Sequence, residues 1–307
     1  WTAVTTGQYN TLMGAIAADS VTEGGRNTAL GYGALQTDTK GSRSTAVGFN
    51  ALGTQNFTSA TDNYNIGVGY DAGGALTTGI SNTIIGGLAG DALTDADYNV
   101  AIGYGALGAD TKGDRSVAIG LNALQAQNHT SVTTTNNTAV GDNAGYAATT
   151  GTSNTFVGSQ AGAGCTTGEK NTFLGSKAGG DSTQTGASNT CIGWEAGFNL
   201  TSGGNNLLLG KQAGRSTSPS GTINSGSSNV CLGDDNITAL FCADTSISSS
   251  DSRDKADITD FNIGLNWVKD LRPVTYKWDK RSWYGTEEDP LGTPDGSKKQ
   301  SKVHIGF

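Results

Sequence analysis

The sequence predicts an all-β protein, a parallel β-solenoid of about thirteen coils of 17 residues, with a different domain behind it. Three observations carry that expectation. A five-residue phrase typified by Asn99-Val100-Ala101-Ile102-Gly103 is written thirteen times, its fifth residue is always glycine, and the recurrence stops near residue 243.

The copies begin at Asn10, Asn27, Ser44, Asn65, Asn82, Asn99, Ser116, Asn137, Asn154, Asn171, Asn189, Asn206 and Asn229. Successive starts are 17, 17, 21, 17, 17, 17, 21, 17, 17, 18, 17 and 23 residues apart. Numbered from that Asn or Ser, the fourth residue of a coil is always a large aliphatic, from Met13 to Leu232, and the second is mostly Thr or Val. Side chains alternate along a strand, so the second and fourth share one face and the third takes the other. The third is also apolar or small, as in Ala101, Ile84, Phe156, Phe173, Cys191 and Leu208.

A strand apolar on both faces is expected to be buried on both, so something must cover the second face. A regular Thr row can order water, as an ice-binding surface does. Here it shares its face with the aliphatic fourth position, which argues for the interior. The eighth residue is Ala in twelve coils, Ala17 through Ala213, and marks a second short apolar element closing each coil. The stacked Asn at the first position is expected to form an internal amide ladder.

With 47 glycines in 307 residues the composition alone would read as low-complexity. The repeat supplies order, because each coil buries its apolar rows against its neighbours. A net charge of −8 offers no basic patch to phosphates, so no nucleic acid partner is expected. No run of 18 apolar residues is present, so no membrane insertion is expected. The chain opens on Trp1, which reads as a segment of a longer protein.

Cys191 and Cys231 both hold third positions two coils apart, roughly 9–10 Å at ordinary strand spacing, too far for a disulfide. They read as small buried hydrophobes. Cys165 and Cys242 lie in turn or junction segments, and His129 and His304 have no ligand-like company, so no metal and no cofactor is expected.

The two 21-residue coils carry insertions around Gln55-Asn56-Phe57-Thr58-Ser59 and Gln127-Asn128-His129-Thr130-Ser131, 72 residues apart. The Asp38-Thr39-Lys40-Gly41 segment recurs at the same distance as Asp110-Thr111-Lys112-Gly113, which points to duplication of a four-coil block. An insertion in a solenoid bulges outward, so Asn56, Phe57, Asn128 and His129 are the candidate binding residues. Aromatics at the sixth position (Tyr32, Phe49, Tyr70, Tyr104, Trp194) could stack on sugars or pack at the coil corner; the corner role is the expectation.

Coils such as Arg115-Ser116-Val117-Ala118-Ile119-Gly120, with Ala123 behind, resemble the head repeats of trimeric autotransporter adhesins of the YadA type. The resemblance implies a parallel β-roll packed as a homotrimer. Two identical partner chains would then cover the second apolar face.

Past residue 243 an amphipathic segment, residues 263–271, has apolar side chains at helical intervals, and Val274-Thr275-Tyr276-Lys277-Trp278 reads as a strand. Ser250, Asp251, Arg253, Lys255, Asp257 and Ile258 fit the opening pattern of the endosialidase-type intramolecular chaperone domain of phage tail spikes and fibres. Leu271, Pro273, Tyr276 and Trp278 fit a later element, and His304-Ile305-Gly306-Phe307 resembles the start of another.

The expected division is therefore a solenoid over 1–242, a linker over 243–249 and the N-terminal part of an α+β chaperone domain over 250–307. The resemblance implies a domain that assists trimer assembly and then cuts itself free. Ser250 would be the nucleophile and Lys255 the base, with Asp251 and Arg253 in support. The implied protein is a phage tail fibre or spike on the virion, contacting a receptor or glycan of the host surface. The alternative is a trimeric adhesin or filament on a bacterial cell surface. A carbohydrate-degrading spike would need paired carboxylates in a groove, and no such constellation stands out.

Overall fold

The computed structural model describes residues 4–180 and 182–239, and further along the strands Val274–Tyr276 and His304–Gly306. Each copy of the phrase forms a three-residue strand over its second to fourth positions, from Thr11–Met13 to Val230–Leu232. The thirteen strands pair in parallel and in chain order, giving one long sheet joined by twelve full turns. Register is position on position: Val100, Ala101 and Ile102 face Val117, Ala118 and Ile119. The 21-residue coils keep it, with Val117 facing Thr138.

Which face is inside differs from the sequence reading. The third positions are the core: Ala29, Ile84, Ala101, Phe156, Phe173, Cys191 and Leu208 are fully buried, together with the eighth-position alanines. The second and fourth positions point outward, and Met13, Ile85, Leu174, Ile192, Leu207 and Val230 are among the exposed large hydrophobics. The Thr row is thus on the outer face, not in the interior where its aliphatic neighbours at the fourth position placed it. A two-residue period separates the faces of a strand but does not say which one the chain wraps around.

Core size shows which. Where the ninth residue is Leu35, Leu52, Leu107 or Leu124, all fully buried, the third is Ala29, Ala46, Ala101 or Ala118. Where the ninth is Gly162 or Gly179, the third is Phe156 or Phe173, and a Cβ at Gly162 would lie 2.4 Å from Phe156 Cδ1. In these six coils the interior trades bulk between its two walls, whereas the coils of Gly67 with Gly73 and of Ala139 with Gly145 are small at both positions. The invariant fifth glycine has another cause. At Gly103, where φ is 128°, a Cβ would sit 2.4 Å from Gly120 O of the next coil.

The first-position amides form the expected ladder. Asn99 Nδ2 donates to Gly113 O at 2.8 Å, and Asn99 Oδ1 accepts from Ser116 N at 2.8 Å. Asn82 repeats the pattern one coil earlier with Ala96 O and Asn99 N. These groups are buried, so each rung satisfies main-chain atoms that water cannot reach.

By its contacts the chain divides into two units, Trp1–Leu240 and Phe241–Phe307. In the second, Val274–Tyr276 pairs antiparallel with His304–Gly306, in agreement with the strand expected there. The helix expected over 263–271 lies outside the described residues.

Replacing Asn99 by Ala leaves two buried main-chain groups unpaired and should cost about 2–5 kcal/mol, at roughly 1–3 kcal/mol per orphaned group. Asn10→Ala, in the first coil, should cost clearly less. Equal losses in denaturant unfolding would contradict an internally coupled ladder.

Candidate functional site

Three surfaces and one buried cluster could carry function. The cluster lies where the two insertions leave the solenoid, and it explains why those coils are longer. Both start with Ser rather than Asn, which removes the side-chain amide that should serve the next coil. In the first copy Gln55 links the neighbouring side chains: its Nε2 donates to Asp38 Oδ2 at 2.6 Å and to Ser44 Oγ at 2.8 Å, and its Oε1 accepts from Asn65 Nδ2 at 2.9 Å, while Asn65 N donates to Asn63 Oδ1 at 3.3 Å. Asp38 Oδ1 accepts from Gly41 N at 3.0 Å and Phe57 N at 3.1 Å. Ser44 Oγ donates to Asn63 Oδ1.

The second copy repeats this with Gln127, Asp110, Ser116 and Asn137, Thr135 standing where Asn63 stood. Each insertion also adds a short strand pair, Gly41–Ser42 with Thr61–Asp62 and Gly113–Asp114 with Thr133–Thr134. Sequence reasoning missed these networks. The signal was present, since Asp, Ser and Gln depart together from the apolar pattern in both copies.

The insertions do not present all the side chains expected of them. Asn128 is exposed and Asn56 half-buried, but Phe57 and His129 turn inward and are buried. The physical reason is the carboxylate beneath: the backbone N–H of each is drawn onto Asp38 or Asp110, which pulls the side chain under the loop. Thr58, Ser59, Thr130 and Ser131 are the exposed neighbours.

The two copies differ at this inward position. His129 Nδ1 stands 3.7 Å from Asp110 Oδ1, an ion-pair distance rather than a hydrogen bond. The Asp110 carboxylate holds His129 above the ordinary imidazole pKa, against burial, which lowers it. Burial would raise Asp110, but the His129 ring, the Gln127 amide and the His129 N–H hold it below the usual carboxylate value.

The outer surfaces run as rows. The fourth positions give an aliphatic row and the second positions a largely β-branched row, mostly Thr, with no charged residue in any of the thirteen coils. Beyond the bend at the fifth glycine runs the sixth-position row, where Tyr32, Phe49, Tyr70, Tyr104 and Trp194 are all about half exposed. They do not bury themselves at a corner. Tyr32 stacks on Phe49 and Phe49 on Tyr70, each with centroids 5.3 Å apart. On the other side, just before each first position, Arg26, Arg43 and Arg115 lie over Tyr9, Tyr64 and Tyr98 at 5.5–5.6 Å.

Cys165, Cys191 and Cys231 are free and buried, and burial pushes the Cys165 thiol up to about 12, so it is inert. Cys242 lies outside the described residues, as do Ser250, Asp251, Arg253 and Lys255. Among the described residues no group of acids, His and Cys could hold a metal, and no helix is long and apolar enough to cross a membrane.

The pair at His129 sets a pH dependence. The raised His129 contributes stability in full below about 6.5 and loses it as pH rises through its folded value. The lowered Asp110 contributes in full above about 3.9 and loses it as pH falls through its folded value. Thermal unfolding between about pH 6 and 8 should therefore show the wild-type midpoint falling, and His129→Phe, the residue used at position 57, should remove that fall. Identical slopes would contradict the pairing.

No curated protein and no solved structure matches the chain. Residues 250–307 match the family model described as chaperone of endosialidase, the domain type expected from the Ser250 to Ile258 pattern. A β-solenoid followed in sequence by a chaperone-of-endosialidase segment fits a phage tail fibre with an endosialidase-type chaperone domain.

Proposed function

We propose that the chain is part of a homotrimeric phage tail fibre or spike whose solenoid is a stiff, adhesive shaft reaching the host surface. The observation that carries this reading is the outward stripe of second and fourth positions, aliphatic or β-branched and free of charge along the whole solenoid. The aliphatic fourth-position row, with Met13, Ile85, Leu174, Ile192 and Leu232 exposed, costs a monomer solubility, and large contiguous apolar patches mark interaction surfaces. Sister chains in parallel alignment cover it best, because each presents the same rows at the same spacing.

The C-terminal segment supplies the assembly step in this reading. The Ser250 hydroxyl attacks a peptide carbonyl next to it while neutral Lys255 takes the proton. The C–N bond breaks, the proton passes to the departing amine, and water then releases the ester. Lysine serves as a base near neutral pH only if burial or a neighbouring cation such as Arg253 lowers its pKa. Trimer assembly provides that burial, so the cut follows correct folding. Once the chaperone has left, the route by which the chains were threaded is gone and unfolding becomes slow.

The exposed parts of the two insertions, Asn128 with Thr58, Ser59, Thr130 and Ser131, and the half-buried Asn56 beside them, are the surfaces assigned to contact with a host receptor or glycan. On a denaturing gel the full-length protein should run as two fragments, and Ser250→Ala as one long chain. Identical migration of the two would remove the Ser250 and Lys255 assignment.

A further inference from the structure

The sixth-position row has a missing rung. Tyr32, Phe49 and Tyr70 stack face to face in three successive coils, and the row resumes with Tyr104; between Tyr70 and Tyr104 the position is Gly87. The stacked rings use up one another's faces. Tyr70, however, stacks on Phe49 with one face only, and its other face looks along the row toward the coil of Gly87.

Neither backbone nor space requires glycine here. Gly87 lacks the left-handed φ found at Gly86 and Gly90, and a Cβ built on it would make ordinary van der Waals contact, 3.6 Å from Tyr104 Cδ2. That separates it from the fifth-position glycines, whose Cβ would strike the next coil. A side chain could stand at position 87, and its absence opens a gap one coil deep between two tyrosines that are each more than half exposed.

We infer that this gap is a carbohydrate subsite, in which the sugar ring of a neutral glycan stacks between Tyr70 and Tyr104. Two coils separate the residues that carry the flanking rings, and the edge of Tyr104 lies 3.6 Å from the Cβ position at 87, so the open space lies between that position and Tyr70. A ring in van der Waals contact with each wall needs about 3.5–4 Å on either side, so a puckered pyranose fills the space better than a flat aromatic. The turns that carry Tyr70 and Gly87 also carry Asp71 and Asp91, and residues 70–75, 87–92 and 104–109 contain no Lys or Arg. Carboxylates accept hydrogen bonds from sugar hydroxyls and repel acidic glycans, which sets the preference for a neutral one. Tyr104 leans over Gly87 and forms the lip of the gap.

The inference deepens the reading of the shaft as a host-contacting element and rests on it, and its test is separable. Saturation-transfer NMR on the intact protein would use maltohexaose, cellohexaose and chitohexaose as neutral probes and a sialylated oligosaccharide as the acidic one. At least one neutral probe should receive saturation and the acidic one none. Gly87→Phe, which restores the rung, and Tyr104→Ala, which removes a wall, should each weaken that binding at least roughly tenfold. Circular dichroism should stay unchanged in Gly87→Phe. Undiminished binding in Gly87→Phe, or no neutral probe bound by the wild type, would overturn the subsite. A trimer of correct mass that binds no sugar would refute the subsite alone, whereas a monomer would refute the shaft.

Discussion

The solenoid depends on the amides at the heads of its coils, asparagine in eleven of the thirteen and buried in all but the first and last of those. A 17-residue turn encloses a core one side chain deep, too thin for apolar packing alone to set the register. The asparagine rail sets it, because each side chain binds a carbonyl of its own coil and an N–H of the next. Slipping a strand by one residue would bury the second and fourth positions and expel the amide, leaving main-chain groups unpaired in the interior. The rail also explains the two long coils. Where Ser interrupts it, the inserted loop brings in Gln55 or Gln127, whose side-chain oxygen accepts from the Nδ2 of the next coil's asparagine.

Much of this was legible in the sequence, and the part that was not has a physical reason. The period, the strand positions and the internal amide ladder follow from residues that recur in place. The inner face could not be read from alternation, since Val100, Ala101 and Ile102 are all apolar. It is readable from compensation: Ala118 goes with Leu124 and Phe156 with Gly162, and only side chains sharing one cavity need to trade volume. The loops were legible as insertions but not in their direction. Phe57 and His129 point inward because a carboxylate far back in the chain holds their backbone, and spacing carries no trace of that contact.

The outer surface divides its labour by row. The second and fourth positions are smooth, uncharged and continuous, which suits permanent burial against copies of the same chain. The flanking rows hold half-exposed rings, arginines and a gap, which suit occasional partners. The C-terminal segment was legible through motif alone. Ser250 and Lys255 at that spacing would otherwise be ordinary residues of a charged stretch, and the family match over 250–307 supports the pattern as a whole.

In the proposed trimer the outward uncharged stripe and the chaperone segment serve one end, since a domain that guides assembly is needed only if chains must meet in register. The most direct measurement is the mass of the purified particle in solution by multi-angle light scattering. Three chains per particle, unchanged on dilution, is the predicted result. A stable monomer that remains soluble with the stripe exposed would contradict the account.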